Sequence, residues 1–263
     1  MNDPVDKMTV PGFMAKRGRG EKITMVTAYD YPTALLVDEA GIDVALVGDS
    51  VGREVAGYEN ELPVTLDDMA YHVRAVRRGL RRAMLIVDMP FMTYQINADE
   101  AVRNAGRLIQ AGANAVKLET TAQTSSTVAR MVDAGIPVMG HVGFRPQSVN
   151  RTGIALQGKD AEGADEVLGA ARAAQEAGAF GVVLELIPSA LAQKVTEALA
   201  IPTIGIGAGP HCSGQVLVIG DLIGLRRDRP VFRHVRRYAS VGDQIVAALQ
   251  AYKKDVESGQ FPA

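Results

Sequence analysis

Two stretches decide how this chain folds: Ile109-Gln110-Ala111-Gly112-Ala113-Asn114-Ala115-Val116 and Ala174-Gln175-Glu176-Ala177-Gly178-Ala179-Phe180-Gly181. Each reads as a helix end, a glycine and the start of a strand. Glycine takes a positive φ at little steric cost, so it stops the helix and turns the chain at once. The same joint recurs at Glu39-Ala40-Gly41-Ile42-Asp43-Val44 and at Met131-Val132-Asp133-Ala134-Gly135-Ile136-Pro137-Val138. Repeated helix–glycine–strand joints with short loops mean βα units in series.

Outward from these joints, short β-branched runs alternate with helical patterns. The expected strands are Ile23 to Thr27, Val44 to Val47, Met84 to Val87, Ala115 to Leu118, Val138 to Gly140, Gly181 to Leu184, Thr203 to Ile206 and Val216 to Ile219. Most are near-continuous apolar runs, as parallel strands buried on both faces require. About eight such units in 263 residues favour an α/β fold of the closed (β/α)8 TIM-barrel type over an open sheet. One domain over 1–263 is expected, with helical extensions at both ends. After the second strand, Leu66, Met69, Val73, Val76 and Leu80 form one apolar stripe, and Thr65 with Asp68 forms a capping box. Arg74, Arg77, Arg78, Arg81 and Arg82 then read as a solvated face that complements the helix C-terminus. A further helix is expected around Ile245 to Tyr252, after Arg226, Arg227, Arg229, Arg233, Arg236 and Arg237.

Composition narrows the function. Apolar residues make up 47% of the chain, and 28 basic residues against 30 acidic leave a net charge of −2. That balance gives no reason to expect nucleic acid or an anionic membrane as partner. Cys212 is the single cysteine, so no internal disulfide forms. With no signal-peptide pattern and no run near ~18 apolar residues, a cytoplasmic location is expected. The Asn150-Arg151-Thr152 sequon then reads as chance.

In a barrel the active site sits at the C-terminal ends of the strands. Asp49 and Ser50 follow the second strand, Asp88 the third, Lys117 and Glu119 end the fourth, His141 follows the fifth and Glu185 the sixth. Acids gathered in a cleft are costly unless a cation or a proton sits among them. Asp49, Asp88 and Glu119 are hard oxygen donors, and their motifs contain no cysteine or histidine partner, which points to Mg²⁺ or a similar hard cation. Lys117 and Glu119 are two apart on one strand and so share a side. Glu185 is not needed for the metal and is the candidate general base. Gly48 to Pro63 and His141 to Asp160 read as long polar loops of the kind that carry function.

Several patterns compete with this reading. Gly48-Asp49-Ser50-Val51-Gly52 matches a nucleophile elbow, with Asp88 and His141 following in order. An elbow needs a helix directly after the serine, and the glycine-, asparagine- and proline-bearing stretch to Pro63 reads as a loop instead. Gly205-Ile206-Gly207-Ala208-Gly209 reads as a phosphate-binding loop or, at least as well, a tight turn. Cys212 beside His211 reads as a small buried or loop thiol, and His72 and His234 read as surface residues.

The motifs together resemble the ketopantoate hydroxymethyltransferase family, from about Thr9 to Pro262. The blocks that carry the resemblance begin with Met25-Val26-Thr27-Ala28-Tyr29-Asp30-Tyr31-Pro32, Val47-Gly48-Asp49-Ser50, Leu62-Pro63-Val64-Thr65 and Val87-Asp88-Met89-Pro90-Phe91. They continue through Val116-Lys117-Leu118-Glu119, Gly140-His141-Val142-Gly143, Pro146-Gln147-Ser148-Val149-Asn150, Leu184-Glu185 and Ile204-Gly205-Ile206-Gly207-Ala208-Gly209. That family is similar in fold to the phosphoenolpyruvate mutase and isocitrate lyase barrels. The resemblance implies one Mg²⁺ per subunit at Asp49, Asp88 and Glu119, with Glu119 direct or through water. It implies substrate contacts at Asp49, Ser50, Asp88, Lys117 and His141, and the catalytic base at Glu185. The implied reaction moves a hydroxymethyl group from 5,10-methylenetetrahydrofolate to 3-methyl-2-oxobutanoate through a Mg-stabilised enolate, giving 2-dehydropantoate (ketopantoate) for pantothenate biosynthesis. The implied assembly is a homodecamer of two stacked pentamers. One departure stands out: Ile219-Gly220-Asp221 has glycine where the family often has histidine. A different metal-dependent lyase or aldolase, which would ignore folate, and a catalytically dead barrel are the competing classes.

Overall fold

Strands β1 (Ile23–Thr27), β2 (Val44–Val47), β3 (Met84–Asp88), β4 (Ala115–Glu119), β5 (Val138–Gly143), β6 (Gly181–Glu185), β7 (Thr203–Ile206) and β8 (Gly214–Leu217) pair in parallel, each with the next. They close into a barrel in chain order, with the Ile23 N–H donating to the Ser213 carbonyl at the seam. This computed structural model describes residues 7–228 and 232–262. Seven strands lie where expected or run one to three residues further. The eighth starts two residues earlier than expected, at Gly214, and Ile219 instead opens a short helix.

Alternation along the strands fills the barrel and then builds its mouth. Ile23, Met25, Val44, Leu46, Met84, Ile86, Ala115, Met139, Val183, Ile204 and Val216 form one buried cluster inside the barrel. Two residues beyond Ile86, Ala115, Met139 and Val183 come Asp88, Lys117, His141 and Glu185, and Glu119 follows Lys117 at the same spacing. Side chains two apart on a strand share a face, so the interior changes from apolar to ionisable toward the C-terminal ends.

The other end is plugged. Helix α1 (Val10–Gly18) starts at Thr9, whose hydroxyl accepts from the Gly12 N–H at 3.2 Å. It drives Phe13 into the interior cluster, edge-on to Phe180 with ring centroids 5.4 Å apart. Phe13 is fully buried. Phe13→Ala is therefore expected to cost about 3–5 kcal/mol, read as a lower midpoint in urea unfolding at unchanged slope.

Outside the strands lie α2 (Tyr31–Glu39), α3 (Val51–Glu54), α4 (Leu66–Gly79), α5 (Ala98–Gln110), α6 (Ser125–Asp133), α7 (Val149–Thr152), α8 (Ala161–Glu176) and α9 (Ser189–Ala198). α4 has the expected capping box and apolar stripe, and Arg77 caps its end by donating to the Leu80 carbonyl at 2.8 Å. The four joint glycines all take positive φ: 73° at Gly41, 121° at Gly112, 82° at Gly135 and 92° at Gly178.

The two expected loops are more ordered than their composition suggests. α3 begins directly after Ser50. In the second, β5 extends to Gly143, a 3-10 turn spans Pro146–Ser148, and α7 follows. His72 is not a surface residue: it is half-buried, with Nδ1 2.5 Å from the Tyr29 carbonyl.

Two compact units are present, one up to Val216 and the other from Leu217. Within the second, α10 (Ile219–Leu222) precedes α11 (Val241–Glu257), and the Tyr238 and Val241 N–H groups donate to the Leu222 and Ile223 carbonyls. α11 covers the helix expected around Ile245 to Tyr252. Arg226 pairs with Asp228 and Arg227 with Asp243, while Arg229 lies outside the described residues. Among the described residues no helix is long and apolar enough to cross a membrane.

Candidate active site

The site begins where β2 ends. A Cβ on Gly48 would stand 2.7 Å from Ser50 Oγ, so any larger residue would move that hydroxyl from its place beside Tyr29. With glycine, the Asp49 N–H approaches β3 and donates to Asp88 Oδ2 at 3.1 Å. Ser50 Oγ lies 2.8 Å from the Tyr29 hydroxyl. On the far side of Asp88, Lys117 Nζ is 2.8 Å from Oδ1, and both side chains are buried. Burial alone would pull the Lys117 ammonium down, but the Asp88 and Asp49 charges outweigh it and hold its pKa above the usual lysine value. Asp49 is pushed well above the usual carboxylate range, first by burial and then by the charge of Asp88.

Glu119, also raised by burial, faces the turn after β5. Its Oε1 accepts from the Gln147 N–H at 2.6 Å and its Oε2 from the Ser148 hydroxyl at 3.2 Å. The Gln147 side chain returns to the other acid, with Nε2 2.8 Å from Asp49 Oδ2. One short turn thus connects the carboxylates of β2 and β4.

His141 and Glu185 form the remaining corner. Gly143, at φ 92°, lets β5 pass the end of β6, since a Cβ there would run into the Glu185 carbonyl. His141 Nε2 lies 3.1 Å from Glu185 Oε2. Burial, reinforced by the nearby Lys117 charge, pushes the His141 pKa down to about 3, so the ring is neutral at physiological pH. Its backbone is held on both sides by Thr120 Oγ1, which accepts from the His141 N–H and donates to its carbonyl, each at 3.2 Å.

All seven residues singled out by sequence therefore lie around one barrel mouth: Asp88 joins Asp49 to Lys117, His141 meets Glu185, and Ser50 and Glu119 are held by Tyr29 and by Gln147 with Ser148. Among the described residues no three His, Cys, Asp or Glu side chains gather tightly enough for direct metal ligation. Tyr94, Gln147 and Glu61 were not singled out. Glu61 is buried in the stretch before α4, its pKa raised by burial, with Arg53 Nη1 3.6 Å away. The Gln147 block was visible in the sequence, but a neutral amide signals no chemistry by itself.

The competing patterns resolve on geometry. A helix does follow Ser50, so the absence of one cannot reject the nucleophile elbow. The partners reject it instead, because the Ser50 hydroxyl meets Tyr29 and His141 Nε2 meets Glu185. Gly207 and Gly209 take φ of 62° and 78° in a turn held by Gln215, whose Nε2 donates to the Gly209 carbonyl at 2.9 Å. Cys212 is buried with its thiol pushed up by burial, while His211 is exposed.

Comparison with known proteins follows the same line. The chain is 53% identical over 257 residues to a 3-methyl-2-oxobutanoate hydroxymethyltransferase of Chloroflexus aurantiacus, covering 97% of this chain and 91% of the relative. It is 53% identical over 260 residues to the enzyme of that name from Syntrophomonas wolfei, covering 98% and 94%. In fold it is similar to a phosphonopyruvate hydrolase solved with oxalate and Mg²⁺, at TM-score 0.64 and 14% identity over 96% of this chain and 88% of that one. A 2,3-dimethylmalate lyase of the phosphoenolpyruvate mutase/isocitrate lyase superfamily gives TM-score 0.61 at 17% identity, over 95% and 88%. Residues 7–263 match the family described as Ketopantoate hydroxymethyltransferase, and the chain belongs to that family.

Proposed function

We propose that this chain transfers a hydroxymethyl group from 5,10-methylenetetrahydrofolate to 3-methyl-2-oxobutanoate, giving ketopantoate. The observation that carries the reading is the meeting of Asp49, Asp88, Lys117, Glu119, His141 and Glu185 at one barrel mouth in a member of this family. Hard oxygen donors beside a buried, under-compensated negative charge fit Mg²⁺. Asp49 and Asp88 would hold the ion. Glu119, whose oxygens are engaged by Gln147 and Ser148, fits an outer position through water. When bound, the ion supplies Lewis-acid polarisation of the 2-oxo acid's keto oxygen.

The chain's own groups do the rest. Lys117, fully charged, faces the carboxylate of the substrate, and the Ser50 hydroxyl helps orient it. Glu185 takes the proton from C3. Its neighbour His141 is neutral and so adds no formal positive charge to weaken that base. The C3 carbon, bearing the electron pair of the broken C–H bond, attacks the one-carbon unit of the folate. As that carbon's two bonds to the folate nitrogens break, water gives it the hydroxyl, and the proton from C3 and the second proton of water end on the two nitrogens of the departing tetrahydrofolate. Holding both reactants in one cleft removes much of the entropic barrier to carbon–carbon bond formation. The family resemblance also supports a cytoplasmic homodecamer of two stacked pentamers, with small molecules as the other partners.

The test is proton NMR of 3-methyl-2-oxobutanoate in deuterated buffer with enzyme and Mg²⁺, before and after methylenetetrahydrofolate is added. Loss of the C3 proton signal, then appearance of ketopantoate, is the expected result. Exchange without ketopantoate would mean a lyase or aldolase that ignores folate. Neither exchange nor product from folded, metal-loaded protein would overturn the reading.

A further inference from the structure

Gln147 is a neutral residue that hydrogen-bonds two of the site's carboxylates. It lies in the 3-10 turn Pro146–Ser148 and is 7% exposed. Its Nε2 donates to Asp49 Oδ2 at 2.8 Å and to the Met89 carbonyl at 2.9 Å. Its Oε1 accepts from the Tyr94 hydroxyl at 2.8 Å and from Gln95 Nε2 at 3.1 Å. Its backbone N–H donates to Glu119 Oε1 at 2.6 Å.

These partners leave the side-chain amide one orientation. A backbone carbonyl can only accept, so the group facing Met89 must be the NH₂ end. That end is the one against Asp49, while Tyr94 and Gln95 hold the oxygen end. Asp49 is therefore met by a donor that cannot turn away. Gln147 thus hydrogen-bonds both the acid after β2 and the acid that ends β4.

We infer that Gln147 is a positioning residue for the divalent-cation site, fixing the Asp49 carboxylate through its side chain and Glu119 through its backbone. Tyr94 holds its amide oxygen in place and also reaches the Glu119 backbone directly. The inference rests on the metal reading above. Groups that orient a metal's ligands are worth about 10–100-fold in metal affinity when removed.

Mn²⁺ binding to the full-length protein tests this, read by electron paramagnetic resonance of the free ion. Gln147→Leu is expected to weaken Mn²⁺ binding about 10–100-fold with wild-type circular dichroism. Tyr94→Phe, which leaves Gln95 on the amide oxygen, should weaken it a few-fold and add less in the Gln147→Leu background. In deuterium exchange of 3-methyl-2-oxobutanoate, Gln147→Leu should raise the half-saturating metal concentration more than it lowers the rate at saturation, a split that a general loss of packing would not produce. Unchanged Mn²⁺ affinity in Gln147→Leu overturns the inference, as does a Tyr94→Phe loss that persists undiminished in the double variant. If Gln147→Leu does not fold, Tyr94→Phe alone decides, and wild-type affinity overturns it. Wild-type protein that binds no Mn²⁺ would instead overturn the metal reading, and this inference with it.

Discussion

Replacing Glu185 with glutamine is expected to slow deuterium exchange at C3 of 3-methyl-2-oxobutanoate by about 10²–10⁴-fold while leaving keto-acid binding nearly unchanged. Glutamine keeps the size and shape of the side chain but cannot take a proton. Glu185 ends β6 on the interior face, two residues beyond the buried Val183, so its position is set by strand alternation rather than by its charge. Its neighbour His141 offers no substitute base of suitable strength, since its pKa is pushed down to about 3. For the same reason the pH profile of exchange should lack a histidine limb between pH 5 and 8, because the ring is already neutral across that window. Exchange by NMR, alongside calorimetric titration with the keto acid, measures both halves. Wild-type exchange in a folded, ligand-binding Glu185→Gln protein would remove Glu185 from the role of base.

The place of Glu185 at the end of β6 is legible in the sequence, while that of Gln147 is not, because of what a residue pattern can encode. Strands buried on both faces write themselves as apolar runs, and the first ionisable residue past such a run has one destination, the barrel mouth. Asp88, Lys117 and Glu185 are legible for that reason. β8 was misplaced because it begins with Gly214 and Gln215, which carry little strand signal, while the apolar Ile219 belongs to a helical turn. α3 is four residues long and contains Gly52, too short for a 3.6-residue period to show. Gln147, Tyr94 and Glu61 approach from segments outside the strands, where no periodicity fixes direction. Their roles appear only when distant segments meet, as when Gln147 reaches Asp49 across 98 positions of chain.

The Asp49 carboxylate makes the opposite demand on stability and on function. Asp49→Asn is expected to remove metal-dependent activity and yet to make the metal-free protein more resistant to unfolding at neutral pH. The sign follows from the raised pKa, which burial and the charge of Asp88 impose over the opposing pull of Lys117. A carboxyl that is harder to ionise in the fold than in the unfolded chain binds more protons when native. Stability therefore falls as pH rises from the ordinary carboxylate range, and the metal-free wild type carries the full cost only above the raised value. Asparagine removes the charge while its amide oxygen can still accept from Gln147 Nε2, and Lys117 keeps Asp88 as its partner at 2.8 Å. A bound cation should reverse the order, because a ligand present at 100 times its Kd adds about 2.7 kcal/mol to the state that binds it. Thermal midpoints from pH 5 to 8, in chelator and then in excess Mg²⁺, give both readings. The Asp49→Asn curve should lie above wild type in chelator with a flatter dependence on pH, and below it in Mg²⁺. A variant less stable than wild type in chelator at the alkaline end would show that Lys117 outweighs burial and Asp88, so that the site needs no cation to balance its charge.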